Sequence, residues 1–381
     1  MTQDKTNKVL NVPPLRFPEF TGEWKKCKLG EITVNFSRRN KNGIDYPMYS
    51  VTNDRGFVPQ SEQFEDREMI GTDIKAYKII RNGEFAYNPA RINVGSIAKY
   101  QGAEDCMISS LYVCFDVDRE RIDSGWFYHL LKTPHMNFYY NLNGEGGVRI
   151  YLFYPNFARI KTSFPSKAEQ HKIADLFNLL TKRIETQIRV IEDLQSLKKA
   201  IRKQMFSELL LDNDPNLQIK DVLEYEQPTK YLVSNTEYSD DVTRIPVLTA
   251  NKAFILGYTD DINGIYSKGK CIILDDFTLD CKLVDFPFKV KSSAIKILTA
   301  KRGANIRYLY EYLKFLDLGT SEHKRHYIAE IEPLEIVMPD INIANNIANA
   351  LELMDKRIYL AENMLIQYRQ QKQFLLQQMF I

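Results

Sequence analysis

Cysteine is scarce in this chain, and the spacing of its five cysteines suggests neither disulfide bonds nor a metal site. The five residues are odd in number and form no C-x-x-C pair. A disulfide scaffold or a zinc site is therefore not expected, and the usage fits a reducing cytosol. The polar segment Met1 to Val9 lacks the apolar core of a signal peptide. No run of about 18 apolar residues occurs, so we expect a cytoplasmic protein with no membrane span.

Net charge is also small, because 51 Lys and Arg face 49 Asp and Glu, which leaves +2. This excludes a histone-like polycation but not nucleic-acid binding, which depends on local basic patches. The 381 residues, 44% of them hydrophobic, are enough for two or three cores. An aromatic content of 12% favours domains that contain sheets.

Catalytic motifs are missing as well. The chain has no G-x-x-x-x-G-K-[S/T] loop for ATP, no G-x-G-x-x-G and no H-E-x-x-H. An adenine methyltransferase needs an [Asn/Asp]-Pro-Pro-aromatic loop to hold a flipped base. Tyr87-Asn88-Pro89-Ala90 lacks the second proline and the aromatic residue, and it fits a turn better. We therefore predict no catalytic, cofactor-binding or metal-binding residue in this chain.

An internal duplication organises the sequence. The segment 164–206 matches the segment 338–380 without a gap, at a constant offset of 174 residues. Upstream the likeness is weaker and the offset drifts, which indicates more loop residues in the first half. The shared anchors are Pro165 with Pro339, Ile173-Ala174 with Ile347-Ala348, Lys182-Arg183-Ile184 with Lys356-Arg357-Ile358, Gln204-Met205-Phe206 with Gln378-Met379-Phe380, and upstream Leu131-Lys132 with Leu313-Lys314.

The duplicated segments are predicted to be long helices. Apolar residues recur every three or four positions, and neither segment contains Gly or Pro after its start. A helix of about 40 residues is about 60 Å long, and it needs a partner of equal length to cover its apolar stripe. The two helices are therefore predicted to pair as an antiparallel coiled coil. The alternative is that each is an ordinary core helix of a bundle.

The regions between the helices are predicted to be mixed α/β domains. Strand-like runs include Phe85–Tyr87, Leu111–Phe115 and Cys271–Leu274, and short amphipathic helices are expected at Trp126–Lys132 and Tyr308–Phe315. Strand order does not follow from these patterns.

Basic and amide residues concentrate in the turn segments of both domains. Arg and Lys can bond guanine or phosphate, and Asn can bond adenine. The alternative for each residue is an ordinary solvated loop. The glycine-flanked loops that end at Arg149 and Arg325 favour DNA contact, because each precedes a linker into a long helix. His323 and His326 lie in the second of these loops, where we expect a phosphate or base contact and not a metal. The candidates are Arg38, Arg39, Asn53, Arg55, Arg91, Asn93, Arg149 and Tyr151 in the first domain, and Asn251, Lys252, Lys301, Arg302, His323, Lys324 and Arg325 in the second.

Several motifs resemble the specificity subunits of Type I restriction-modification systems. The opening Pro14–Phe20, followed by Trp24 and Lys28–Ile32, is typical of such subunits. The stretch Phe164–Ala174 is similar to the Glu-Gln helix start of the family, and Gln204-Met205-Phe206 to its helix end. The second copy departs, because Ile343-Ala344-Asn345 replaces Glu-Gln.

The resemblance implies two target recognition domains (1–165 and 213–339) separated by two spacer helices (166–212 and 340–381) in a pseudo-twofold repeat. It implies a non-catalytic subunit in which each domain reads one half of a split target in double-stranded DNA. Two modification subunits would bind the helices, for which Lys182, Arg183, Lys356 and Arg357 are the candidates, and restriction subunits would join them. S-adenosylmethionine, ATP and Mg are expected on those partners and not on this chain.

Two other functions remain open from sequence alone. One is a stand-alone DNA methyltransferase with a fused recognition region, for which tight binding of S-adenosylmethionine by the isolated chain would speak. The other is a structural coiled-coil scaffold, which predicts no sequence-dependent DNA affinity.

Overall fold

The structure, a computed structural model, describes residues 10–63, 74–147, 149–249, 254–319 and 324–381. The chain divides into two compact units. The first unit contains residues 1–187 and 364–381, and the second contains residues 188–363. Among the helices of the described ranges, none is both long and apolar enough to cross a membrane. The five cysteines are free thiols.

The first unit contains three groups of paired strands. β1 pairs with β10, one sheet has the order β2-β9-β6-β7, and another has the order β4-β3-β8-β5. The strands are β1 (Lys25–Lys28), β2 (Thr33–Phe36), β3 (Met48–Thr52), β4 (Gly56–Pro59), β5 (Lys78–Ile80), β6 (Phe85–Tyr87), β7 (Ile97–Lys99), β8 (Cys106–Ile108), β9 (Val113–Val117) and β10 (Lys161–Phe164). The helices are α1 (Gln60–Gln63), α2 (Ser124–Leu131), α3 (Pro134–Asn143), α4 (Tyr154–Arg159) and the start of α5 (Lys167–Asp212).

The second unit is built in the same way. β11 pairs with β19, and its sheets have the orders β12-β18-β15-β16 and β14-β13-β17. The strands are β11 (Leu217–Gln218), β12 (Leu223–Glu226), β13 (Ile245–Leu248), β14 (Ile255–Thr259), β15 (Cys271–Asp275), β16 (Cys281–Val284), β17 (Lys289–Val290), β18 (Ile295–Ala300) and β19 (Glu335–Ile336). The helices are α6 (Ile219–Val222), α7 (Ile306–Leu316) and most of α8 (Ile341–Gln378).

The two units share one topology. In chain order, the sheet β2-β9-β6-β7 corresponds strand by strand to β12-β18-β15-β16, and both are antiparallel throughout. The hairpins β3–β4 and β13–β14 also correspond, and each has a parallel neighbour on its first strand. The predicted mixed α/β class and the predicted repeat are confirmed. In the described ranges, α1, α3 and β5 occur in the first unit alone, which agrees with the drifting offset.

The long helices run antiparallel where they meet. In the first unit, Lys372 Nζ donates to Thr181 Oγ1 at 2.7 Å, and the Arg183 guanidinium lies 4.5 Å from the centre of the Tyr368 ring. In the second unit, Lys198 Nζ lies 2.6 Å from Asp355 Oδ1. A later residue of α5 thus meets an earlier residue of α8. The division into recognition domains and spacer helices at 165, 212 and 339 stays a prediction.

An aromatic residue at the end of each duplicated segment fixes it to the adjacent short helix. Phe206 packs on Tyr308 of α7, with ring centres 5.4 Å apart. Its counterpart Phe380 packs on Trp126 of α2 at 6.0 Å. Because aromatic side chains bury large apolar areas, these contacts account for the repetition of the phenylalanine at this position.

The start of α5 and the start of α8 are each hydrogen-bonded to the N-cap residue of the adjacent short helix, but through different side chains. Gln170 accepts a hydrogen bond from the backbone N–H of Asp123, the N-cap of α2. Asn345 Oδ1 accepts one from Asn305 Nδ2, and Asn305 is the N-cap of α7. The departure of the second copy from Glu-Gln therefore keeps a polar link between the long helix and the adjacent cap.

The residues that face the helix pair from α2 and α7 differ in charge. His129 of α2 is buried, and its Nε2 lies 3.2 Å from Asn178 Oδ1. Its counterpart in α7 is Glu311, which is fully buried against Lys198 and Arg202. In the first unit this residue is an imidazole beside an amide, and in the second it is a carboxylate within a group of ion pairs.

Acidification is expected to weaken the first unit through His129. Burial lowers the pKa of His129 to about 4, and the charges of Lys372 and Lys99 lower it further. The hydrogen bond to Asn178 Oδ1 and the charge of Asp123 act in the opposite direction. Between pH of about 6.5 and about 4 the unfolded chain binds a proton that the folded unit does not, so stability falls as pH falls through this window.

The His129→Gln variant should lose less stability than the wild type between pH 7 and pH 5. Tryptophan fluorescence in urea reports on this unit, because both tryptophans of the chain, Trp24 and Trp126, belong to it. Equal pH dependence in the two proteins would contradict the assignment.

Candidate nucleic-acid interface

Three polar turns of the first unit are linked by hydrogen bonds of the turns themselves or of residues beside them. They are the β3–β4 turn at Asn53–Arg55, the turn Arg91–Gly95, and the loop Glu145–Tyr151 without residue 148, which lies outside the described residues. Together we call them the turn cluster. Lys132 Nζ donates to Gly95 O at 2.6 Å and lies 3.5 Å from Asn53 O. The backbone N–H of Leu152, which follows the loop, donates to Pro89 O at 2.9 Å.

The loop Glu145–Tyr151 is closed by its own backbone. Glu145 and Tyr151 exchange N–H to carbonyl hydrogen bonds of 2.9 and 2.8 Å. Gly146 has φ of +112°, and a Cβ there would lie 2.3 Å from Arg149 O, so the loop requires glycine at this position. Arg149 is exposed on this loop, and the Tyr151 ring stacks on Phe153 with centres 6.3 Å apart.

The structure brings six of the predicted first-domain residues to the turn cluster. Asn93 is half-buried, and its Nδ2 donates to Asn141 of α3 at 3.1 Å. Arg55 lies 3.7 Å from Glu62, an ion pair whose two side chains are largely exposed and which contributes little stability. The six residues are Asn53, Arg55, Arg91, Asn93, Arg149 and Tyr151.

Arg38 and Arg39 lie outside the turn cluster. Arg38 makes a bidentate ion pair with Glu84, with N–O distances of 2.8 and 2.9 Å, and its guanidinium lies over the Phe36 ring. The hydrogen bonds that Arg38 donates to Glu84 raise the pKa of Arg38. Since Glu84 is buried, the guanidinium of Arg38 is used to neutralise a carboxylate inside the domain. Arg39 is exposed and pairs through its backbone with Lys78.

In the second unit, four of the predicted residues can be placed. Lys301 Nζ donates to Lys220 O at 2.6 Å, and Lys324 pairs with Glu330 at 3.1 Å. Arg302 and Arg325 are exposed. Asn251, Lys252 and His323 lie outside the described residues.

His326 does not lie on the surface where the sequence placed it. Its side chain is buried, Nδ1 lies 2.8 Å from Glu330 Oε2, and its backbone N–H donates to Asp276. The expected contact of this histidine with phosphate or base is therefore wrong. Within the described ranges, no group of three His, Cys, Asp or Glu residues is placed to hold a metal ion.

The predicted partner-binding residues lie on the long helices and are exposed. Lys182 and Arg183 are on α5, Lys356 and Arg357 are on α8. Arg183 also covers the Tyr368 ring, and Lys356 pairs with Glu352 one turn earlier at 2.8 Å. Their role in binding a partner stays a prediction.

Sequence reasoning did not select Lys132, although the repeat paired it with Lys314. The signal was a lysine at the end of each short helix. Only the structure shows that the two differ, because Lys314 Nζ bonds the carboxylate of Asp280 at 2.8 Å and Lys132 bonds turn carbonyls.

Comparison with curated proteins finds the Type I restriction enzyme EcoR124I/EcoR124II specificity subunit of Escherichia coli, which is 46% identical to this chain over 129 residues. Over that segment, this chain is similar to a Type I specificity subunit. The match spans 32% of the chain and 32% of the length of that specificity subunit. No protein-family model matches the chain.

Solved structures of Type I proteins share the fold over nearly the whole chain. The S subunit of the Type I restriction-modification system from M. genitalium has a TM-score of 0.60 and 13% identity, covering 97% of this chain and 99% of that one. A chain from a study of complex assembly and conformational transition in the type I R-M system has a TM-score of 0.58 and 13% identity, covering 95% and 98%. The likeness to the Type I S-subunit fold therefore extends to both units.

Proposed function

We propose that this chain is the non-catalytic specificity subunit of a Type I restriction-modification complex and reads a split DNA target, one half with each globular domain. The observation that carries the proposal is that the two units share one topology but have different residues in their surface turns. A shared scaffold with divergent loops suits a reader whose two halves recognise different sequences.

The turn cluster has the chemistry for reading DNA. Arg91 and Arg149 are exposed and supply guanidinium donors for guanine or phosphate, and Asn53 supplies an amide for adenine. In the second domain, the corresponding proposal rests on Arg302 and Arg325, together with Lys301 and Lys324.

The length of the helices supports a target with a gap. α5 has 46 residues, which corresponds to about 69 Å at about 1.5 Å per residue. This exceeds one turn of DNA, roughly 34–36 Å. In the proposed complex, the exposed residues of α5 and α8 bind two modification subunits, which carry the methyltransferase and S-adenosylmethionine. Restriction subunits bring ATP and Mg for translocation and cleavage.

Arg149→Ala is expected to relax recognition of the first half of the target alone. A bidentate contact to a base contributes about 1–3 kcal/mol of discrimination, so about tenfold or more should be lost at one base pair. Sequencing of methylated sites in cells that carry the variant measures this effect.

Arg159→Ala is the matched control, because Arg159 is an exposed arginine at the end of α4 and outside the turn cluster. It should leave both halves of the target unchanged. If the Arg149→Ala cells methylate both halves of the target with full fidelity, Arg149 does not contact the bases. A wild-type complex that methylates without sequence preference would overturn the proposed function itself.

A further inference from the structure

The β3–β4 turn and the turn Arg91–Gly95 belong to different sheets of the first unit, and their mutual position depends on a few contacts. β3 and β4 lie in the sheet β4-β3-β8-β5, whereas β7, which follows the second turn, lies in β2-β9-β6-β7. Ser96 Oγ donates to Val51 O at 2.7 Å and joins the bases of the two turns.

Closer to the exposed tips, the two turns touch through backbone. Gly95 has φ of +101°, and a Cβ on it would lie 3.1 Å from Asn53 O and 3.7 Å from Asn53 Cα. Only glycine combines this dihedral angle with so close an approach. The Asn53 and Gly95 carbonyls therefore lie side by side, and both accept from the same side chain.

That side chain is Lys132, which follows the last residue of α2. Its Nζ lies 2.6 Å from Gly95 O and 3.5 Å from Asn53 O. An ammonium group that donates to two carbonyls forms charge-assisted hydrogen bonds, which are stronger than neutral ones. The Tyr128 ring lies 5.9 Å from the same ammonium and covers it from the helix side.

We propose that Lys132 is a positioning residue, which holds the β3–β4 turn against the turn Arg91–Gly95 so that Asn53 and Arg91 reach their bases together. The inference rests on the proposed function and adds to it a specific determinant of the first half-target. Lys132 itself is half-buried and acts through the two carbonyls without touching DNA.

The equivalent lysine of the second unit provides a matched control. Lys314 lies in the last turn of the corresponding helix, but its Nζ bonds Asp280 Oδ1 at 2.8 Å. Asp280 is a surface residue whose side chain is 49% exposed. The same substitution at Lys314 therefore removes a surface ion pair and leaves the turns of the first unit intact.

The test uses the assembled methyltransferase complex and duplexes with the cognate target or with one base pair changed in either half. Lys132→Met should reduce discrimination against changes in the first half by about tenfold or more, since misplacement of a contact by about 1 Å can cost that much. Discrimination in the second half and the rate on saturating cognate DNA should stay as in wild type, and Lys314→Met should leave the first half unchanged.

The pH dependence of first-half discrimination is a second measurement. A lysine with a merely structural role would not make this discrimination depend on pH. Burial lowers the pKa of Lys132 to about 8, with Lys372 of α8 lowering it further and Asp54 of the β3–β4 turn opposing this. A neutral amine is a weaker donor than an ammonium. First-half discrimination by the wild type should therefore fall as pH rises from about 7 to about 9, and this fall should be absent in Lys132→Met.

Gly95→Ala is the second variant, because the added Cβ separates the same turns while the amine stays in place. It should reduce first-half discrimination in the same way. If Lys132→Met does not assemble, Gly95→Ala and the wild-type pH profile decide. Unchanged discrimination in Lys132→Met, or an equal loss in both halves, would overturn the inference while leaving the proposed function standing. Absence of sequence preference in the wild-type complex would instead defeat the proposed function.

Discussion

Glu311→Ala is expected to destabilise the second unit by about 3–5 kcal/mol, because it leaves buried cations without their carboxylate. The Glu311 side chain is fully buried and lies 2.8 Å from Arg202, 2.9 Å from Arg307 and 3.2 Å from Lys198. Asp355 can satisfy Lys198 and Arg307, but Arg202 keeps no second carboxylate among the ion pairs of the described residues.

Urea unfolding followed by circular dichroism measures the loss. Tryptophan fluorescence, which reports on the first unit, should change much less. Glu352→Ala is the control, since it removes an ion pair with Lys356 whose side chains are 35% and 65% exposed, and such pairs contribute about 0.5 kcal/mol or less. A Glu311→Ala chain no less stable than the Glu352→Ala chain would show that the buried cluster contributes no net stability.

Phe206→Ala should cost the second unit about 3–5 kcal/mol, the usual range when a buried phenylalanine is truncated. Phe206 is fully buried, and its ring centre lies 5.4 Å from Tyr308 and 5.2 Å from both Tyr312 and Phe315. The cavity would open between α5 and α7, because all three partners belong to α7.

Hydrogen exchange should show the effect as lost protection of the amides of 306–316. Leu211→Ala on the same helix is the control, because Leu211 is 85% exposed and its truncation removes little buried area. If the two variants exchange alike, the packing of Phe206 does not hold α7 in place.

The sequence predicted those parts of the fold that follow from local pattern. The helical stripe over α5 and α8 depends on neighbouring residues alone. The repeat matched Phe206 with Phe380, but what these two residues contact came from the structure. Strand order was beyond prediction, because pairs such as β2 with β9 join residues far apart in the chain. The shared topology of the two units became visible only with those pairings.

The candidate site was predictable by residue type and less so by position. Arg91 and Arg149 are exposed basic residues of the turn cluster, as predicted. Arg38 instead pairs with Glu84, which lies in a distant part of the sequence. His326 is buried, and its backbone N–H donates to Asp276, which is also distant in the sequence. Whether a polar side chain faces solvent or a partner within the chain depends on long-range packing, and composition does not show that.

The contacts between the short and the long helices differ between the two units, and this difference limits which parts of the chain can be exchanged. Lys198 meets Asp355 and Glu311, whereas the equivalent Lys372 meets the hydroxyl of Thr181, and His129 stands where Glu311 does. Grafting one globular region onto the other helix ends would bury Glu311 without Arg202, or leave Arg202 facing a neutral imidazole. A functional graft therefore has to carry the adjoining stretches of both helices, so the modular element of this architecture is larger than the region that reads DNA.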